Sequence, residues 1–175
     1  MSEMNIILLL TFLLLISCSS MKNLENTEQI NFHGLNFNDR EYLIGDIEDN
    51  ISSKYFEFSQ TDKCNNYVNS KKAIDLLYKD KKLISIFVGY GNKSVVTSHG
   101  IKNGMTDKDV YENYKDFKVI KEHSEGAGDS QDDFTYKIHD KENNLKNEIV
   151  FDIVNGKVMG MHVSKKGLDG YICDE

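Results

Sequence analysis

The residues of this 175-residue chain that could do chemistry are five histidines, three cysteines and two acidic stretches. His33, His99, His123, His139 and His162 show no HxH, HxxxH or HExxH spacing. No two of them are therefore offered from one face of a strand or helix turn as a metal pair. They read as surface or strand histidines, and no metal ligand is assigned. Asp46, Glu48, Asn50, Ser52, Lys54 and Glu57 fall at the ligand positions of a calcium-loop frame. Ile51 stands where that loop needs glycine, however, and Lys54 places a cation among the ligands. A solvated acidic segment is the better reading. The same holds for Asp129 to Asp133, which closes a mobile acidic loop beginning at Gly126. No G-x-S-x-G elbow surrounds a serine. Gly89-Tyr90-Gly91 lacks the third glycine and the following helix of a dinucleotide site. No catalytic residue and no cofactor is assigned.

The cysteines say more. An apolar run from Ile6 to Ile16 stops at Ser17 and Cys18. A spanning helix needs about 20 apolar residues, so this shorter run fits the h-region of an export signal. It is apolar all round, unlike a surface helix packed on a core. The residues before it, Met1-Ser2-Glu3-Met4-Asn5, carry no Lys or Arg, and a start at Met4 would improve the pattern. Leu15-Ile16-Ser17-Cys18-Ser19-Ser20 resembles the lipobox of bacterial lipoproteins, whose cysteine is acylated and becomes the first residue of the mature chain. The resemblance implies a signal peptide over residues 1–17, lipidation of Cys18 with palmitate-like chains, and a location in the cell envelope. With Ser19 after the cysteine, that location is the outer membrane if the cell is Gram-negative. An uncleaved or ordinary signal is the alternative. Each buried CH₂ contributes about 0.8 kcal/mol, so several chains on one cysteine hold a protein firmly to a bilayer.

Export also bears on Cys64 and Cys173. An oxidising compartment and an even count favour a disulfide between them, two free thiols being the alternative. No CxxC or CxxH spacing accompanies either cysteine, which argues against zinc. The formal net charge of -7 argues against nucleic acid as a partner and against electrostatic docking on anionic lipid. Arg40 is the only arginine, so no arginine cluster exists for phosphate recognition.

The elements that must carry these residues are short. Residues 18–33 read as a polar, flexible tether. The clearest helix start is Gly104-Met105-Thr106-Asp107-Lys108-Asp109-Val110, with Thr106 as N-cap and Asp109 in a capping-box position. The helix is expected over Asp107 to Lys115, with Val110, Tyr114 and Phe117 facing inward. Strands are expected at Phe117 to His123, Phe134 to His139, Glu148 to Val154 and Lys157 to Val163. Asn155-Gly156 forms the tight hairpin turn between the last two. Ahead of these, Asn38 and Glu41 suggest a second capped helix with Leu43, Ile44 and Ile47 inward. Strands follow at Lys54 to Ser59, Asn66 to Asn69, Ala73 to Tyr78 and Leu83 to Gly89. Lys79-Asp80-Lys81-Lys82 is a hairpin, and Val95 to Thr97 leads into the second half. Tyr55, Phe56 and Phe58 alternate imperfectly and are not assigned as a site. The expected fold is α+β, with short helices on antiparallel meanders in two tandem helix-plus-meander units. Residues 34–98 form the first unit and 99–175 the second.

Gly100-Ile101-x-x-Gly104-Met105-Thr106-x-x-x-Val110, together with Phe151 and Gly156-Lys157-Val158, resembles the SmpA/OmlA (BamE-like) family of small envelope lipoproteins. The resemblance implies a fold like that of the β-lactamase-inhibitor protein. This chain differs in having no proline after the helix and extra sequence before Gly100. The expected function is a membrane-anchored, non-enzymatic module that binds or scaffolds another envelope protein. The alternative is an envelope sensor for a small ligand or ion.

Overall fold

The computed structural model describes residues 28–49, 51–61, 63–123, 133–140, 145–168 and 173. The expected signal peptide and Cys18 lie outside the described residues, as does most of the Gly126 to Asp133 loop. In chain order the elements are β1 (Gln29–Ile30), β2 (Gly34–Phe37), β3 (Arg40–Leu43), β4 (Glu57–Gln60), β5 (Cys64–Asn69), β6 (Ile74–Lys79) and β7 (Lys82–Val88). They continue as β8 (Val96–Thr97), α1 (Asp107–Tyr114), β9 (Lys118–His123), β10 (Phe134–His139), β11 (Asn147–Val154) and β12 (Lys157–Lys165). Eight strands form one sheet in the order β4-β5-β6-β7-β12-β11-β10-β9, and a smaller sheet runs β3-β2-β1-β8. The large sheet is antiparallel throughout, while β1 and β8 pair in parallel.

The α+β expectation is therefore corrected: the protein is mostly β, and α1 is the single helix among the described residues. The expected first helix fails at Asn38. Asn38 and Asp39 both adopt positive φ, and Phe37 pairs with Arg40 across them as a tight hairpin. Asn and Asp tolerate this left-handed backbone, so the same side chains that suggest an N-cap also make a type I′ turn. Ile47, expected to face inward, is 70% exposed. The expected tether is also shorter than 18–33, because Ile30 is fully buried in β1 and Phe32 nearly so.

The second half follows the local signals closely. Thr106 Oγ1 accepts from the Asp109 amide at 3.2 Å, and the Asp109 carboxylate accepts from the Thr106 amide at 2.8 Å. Two otherwise orphaned donors are satisfied, and α1 starts there. The turn before it is tied to the last hairpin. The Gly104 amide donates to Val158 O, the Val158 amide to Met105 O, and the Asp107 amide to Gly156 O. The two short motifs, Gly104-Met105-Thr106 and Gly156-Lys157-Val158, are thus direct neighbours in space.

The last hairpins of the two meanders are built alike. Asp80-Lys81 and Asn155-Gly156 are both positive-φ turns. In each case the pairing register shifts over the third residue beyond the turn, Ile84 in β7 and Met159 in β12. A bulge of this kind deepens the local twist. β7 and β12 then pair antiparallel, with Phe87 opposite His162. These two residues occupy equivalent positions in the two hairpins, so the large sheet has a local two-fold through its middle.

One face of that sheet carries the core. Ile74, Leu76 and Tyr78 of β6, Ile86 and Val88 of β7, Phe134, Tyr136 and Ile138 of β10, and Ile149, Phe151 and Ile153 of β11 point the same way. The small sheet contributes Ile30, Leu35, Phe37 and Tyr42, and α1 contributes Val110 and Tyr114. Tyr114 packs on Phe151 with ring centroids 5.5 Å apart. Each fully buried side chain of this size contributes about 1.5–3 kcal/mol before chain entropy is counted.

Candidate functional site

The other face of the large sheet is where side chains of functional type collect. Strand geometry sends alternate residues there, and the register sets their neighbours. One row runs Asp75, Phe87, His162, Val150, Lys137, Ile120 across six strands. Beside it, Leu77, Ser85, Ser164 and Glu148 form a second row. His139 continues it, its Nε2 lying 2.7 Å from Glu148 Oε2. This face is not bare: Val150, Glu148 and Ser164 on it are buried, and Cys173 is bonded to Cys64 on it, while Phe87 is 37% exposed.

The ionisable groups here form pairs and singles. His139 pairs with Glu148, and Lys137 Nζ lies 2.7 Å from Glu122 Oε2. Burial pushes the His162 imidazole pKa down, while the nearby Asp152 and Glu148 carboxylates pull it the other way. Burial raises the Asp75 carboxyl above the usual carboxylate range. Ser164 Oγ finds no hydrogen-bond partner among the described residues. Two glycines lie beneath Phe87. A Cβ on Gly160 would stand 2.9 Å from Asp152 Oδ2 and 3.2 Å from two Phe87 ring carbons, and one on Gly89 would stand 3.2 Å from the same ring. The far end of the ring therefore lies over bare backbone, with the Asp152 carboxylate crowding the same spot.

The disulfide joins Cys64 to Cys173, 109 residues apart, and ties the C-terminus to β5. Cys64 lies on this same face, opposite Lys79 in the pairing of β5 with β6.

The calcium-like frame is put to other uses. Asp46 Oδ2 accepts from the Leu43 amide at 2.8 Å. Glu48 accepts from Asn65 Nδ2 and, at 2.6 Å, from the Tyr67 hydroxyl. Burial first, and then that bond, push Tyr67 up to about 12. Lys54 lies over the Tyr55 ring. The histidines do not converge as a metal set: among the described residues no group of three His, Cys, Asp or Glu side chains could hold an ion. His99 packs on Tyr114 and Phe117 instead. Asp133, at the end of the acidic loop, is buried and accepts from the Asn155 amide.

A separate cleft of about 380 Å³ opens beside β4, with Phe37, Tyr55, Phe56, Val68, Lys54 and Lys71 among its walls. Phe56 is buried there, while Phe58 on β4 stays 56% exposed against Tyr67. No sequence motif marks the centre formed by Asp75, Phe87, Asp152 and His162, because its members come from four strands with no common spacing. The available signal was strand parity, but it became usable only once the pairing of β7 with β12 was known.

Compared with known proteins, the chain matches no family model, no curated protein and no solved structure. No helix among the described residues is long and apolar enough to cross a membrane.

Proposed function

We propose that the protein is a bacterial envelope lipoprotein, held to the membrane by acyl chains on Cys18, that acts as a non-enzymatic binding or scaffold module for another envelope protein. The observation that supports this reading most is the second face of the eight-stranded sheet. Its accessible part carries the Phe87 ring, 37% exposed, with the half-buried carboxylates of Asp75 and Asp152 beside it. Interfaces concentrate their energy in such central aromatic residues, with polar groups around them. The anchor rests on the lipobox resemblance, and the face supplies the contact surface.

Two experiments test the two halves. Labelled palmitate should enter the wild-type protein and not Cys18→Ser; incorporation into the variant overturns the anchor. A photo-crosslinking residue at Leu77 should capture a defined neighbour in native membranes, whereas one at Tyr111 on the helix should not. Equal capture from both surfaces overturns the role of the sheet face.

The cleft beside β4 favours a second reading, an envelope sensor for a small ligand. Lys54, Lys71 and Tyr55 on its walls suit an anionic compound with a flat apolar part. A Lys71→Glu variant that loses a ligand-induced thermal shift seen in wild type would support it.

A further inference from the structure

The charges on this face are not balanced one for one. Lys137 is paired with Glu122, and Lys79 is not without a partner either. Asp75 and Asp152, by contrast, make no hydrogen bond or salt bridge with any described residue. Asp75 is directly across from Phe87 in the pairing of β6 with β7, so their side chains leave the sheet about 5 Å apart. Asp152 reaches Phe87 from the other side, above Gly160. The result is an aromatic face flanked by two carboxylates without a salt bridge to any described residue, Asp152 having only the His162 imidazole near it, on the local two-fold of the sheet. An aromatic face attracts a cation through its quadrupole, and a carboxylate adds a charge-assisted hydrogen bond. The lack of a three-ligand cluster argues against a bare metal ion.

We propose that the centre of this face is a subsite for a cationic side chain, arginine or lysine, of a docked polypeptide: the cation lies against the Phe87 ring between the carboxylates of Asp75 and Asp152. Gly160 is a positioning residue for the subsite, because any side chain there would push the ring and the Asp152 carboxylate apart. The inference rests on the reading of this face as a protein-binding surface and names the chemistry of the partner. Burial already disfavours the Asp75 charge, so an arriving cation gains more from it than from a fully hydrated carboxylate.

The full chain in neutral detergent is titrated by NMR with an acetylated, amidated Arg-Gly-Arg peptide, with its citrulline counterpart as the uncharged control. The arginine peptide should shift the amides of Asp75, Phe87, Gly160 and His162, and the citrulline peptide should not. Asp75→Asn combined with Asp152→Asn should weaken binding by about tenfold, and Phe87→Leu by about threefold. Gly160→Ala should weaken it with every charge kept. Each variant's spectrum outside the patch reports whether it is still folded. Equal binding to the double variant, or shifts confined to other surfaces, overturns the subsite. Spermidine binding as tightly as the peptide overturns its assignment to a polypeptide. Separately, crosslinks from Leu77 that persist unchanged in the double variant leave the protein-binding role standing and remove the cation. Peptide binding at the patch without any crosslink in membranes does the reverse.

Discussion

Asp75 is held on the sheet at a cost in stability, and the sign of that cost can be measured. Its folded pKa lies above the usual 3.8, so the folded state binds this proton more tightly than the unfolded chain does. The associated stability is present below 3.8 and is lost as pH rises through the folded pKa. Asp75→Asn should therefore raise Tm at pH 7 by about 1–3 °C, with the gain fading as pH falls toward 3.8. A gain that is the same at pH 3 and pH 7 would show that burial of the charge is not the cause. His162 behaves in the opposite sense. Its folded pKa lies below 6.5, so its contribution is present above 6.5 and is lost as pH falls through the depressed value. A thermal-melt series on wild type and His162→Gln should show the wild type losing more stability between pH 6.5 and pH 5. Neither residue stands out in the sequence. Histidine spacing speaks only to metal pairs, whereas His162 takes its character from burial in the sheet, opposed by Asp152 and Glu148 on the adjacent strand.

Helix and hairpins show how far local chemistry carries. Thr106 and Asp109 announce α1 and then build its cap as expected, and Thr106→Ala should cost about 1 kcal/mol in urea denaturation. The Asp80-Lys81 turn holds a lysine at φ 60, a conformation glycine adopts more readily. Lys81→Gly converts it to the favoured Asp-Gly pair and should stabilise the protein by about 0.5 kcal/mol in the same assay. An unchanged or lower midpoint would mean that the added freedom of the unfolded chain outweighs the relieved strain. Asn155-Gly156 was legible as a turn because its two residue types have few other uses. Asn38-Asp39 was not, because Asn followed three residues later by Glu41 fits an N-cap equally well. What separates the two readings is the partner strand. β2 and β3 gain burial of Leu35, Phe37 and Tyr42 against the large sheet, and a helix there would have left that face uncovered.

The chain as a whole is closed by the Cys64–Cys173 bridge. A loop of 109 residues removes considerable entropy from the unfolded chain, so Cys173→Ser should lower stability by about 2–4 kcal/mol, read from urea midpoints under non-reducing conditions. A loss no larger than that caused by adding reductant to the variant itself would mean the bridge contributes nothing. The acidic balance, the cysteine pairing preference, α1 and most strand positions were legible from residue order, because each depends on neighbours within a few positions or on composition. The union of two meanders into one sheet, the hairpin that replaces the first helix, and the Phe87–His162 centre depended on which strands pair. Pairing is settled by burial of one whole face against the small sheet and α1, a cooperative choice among distant segments. A one-residue slip of β7 against β12 would send Phe87 into the core and Val88 into water, and no local pattern along either strand records that preference.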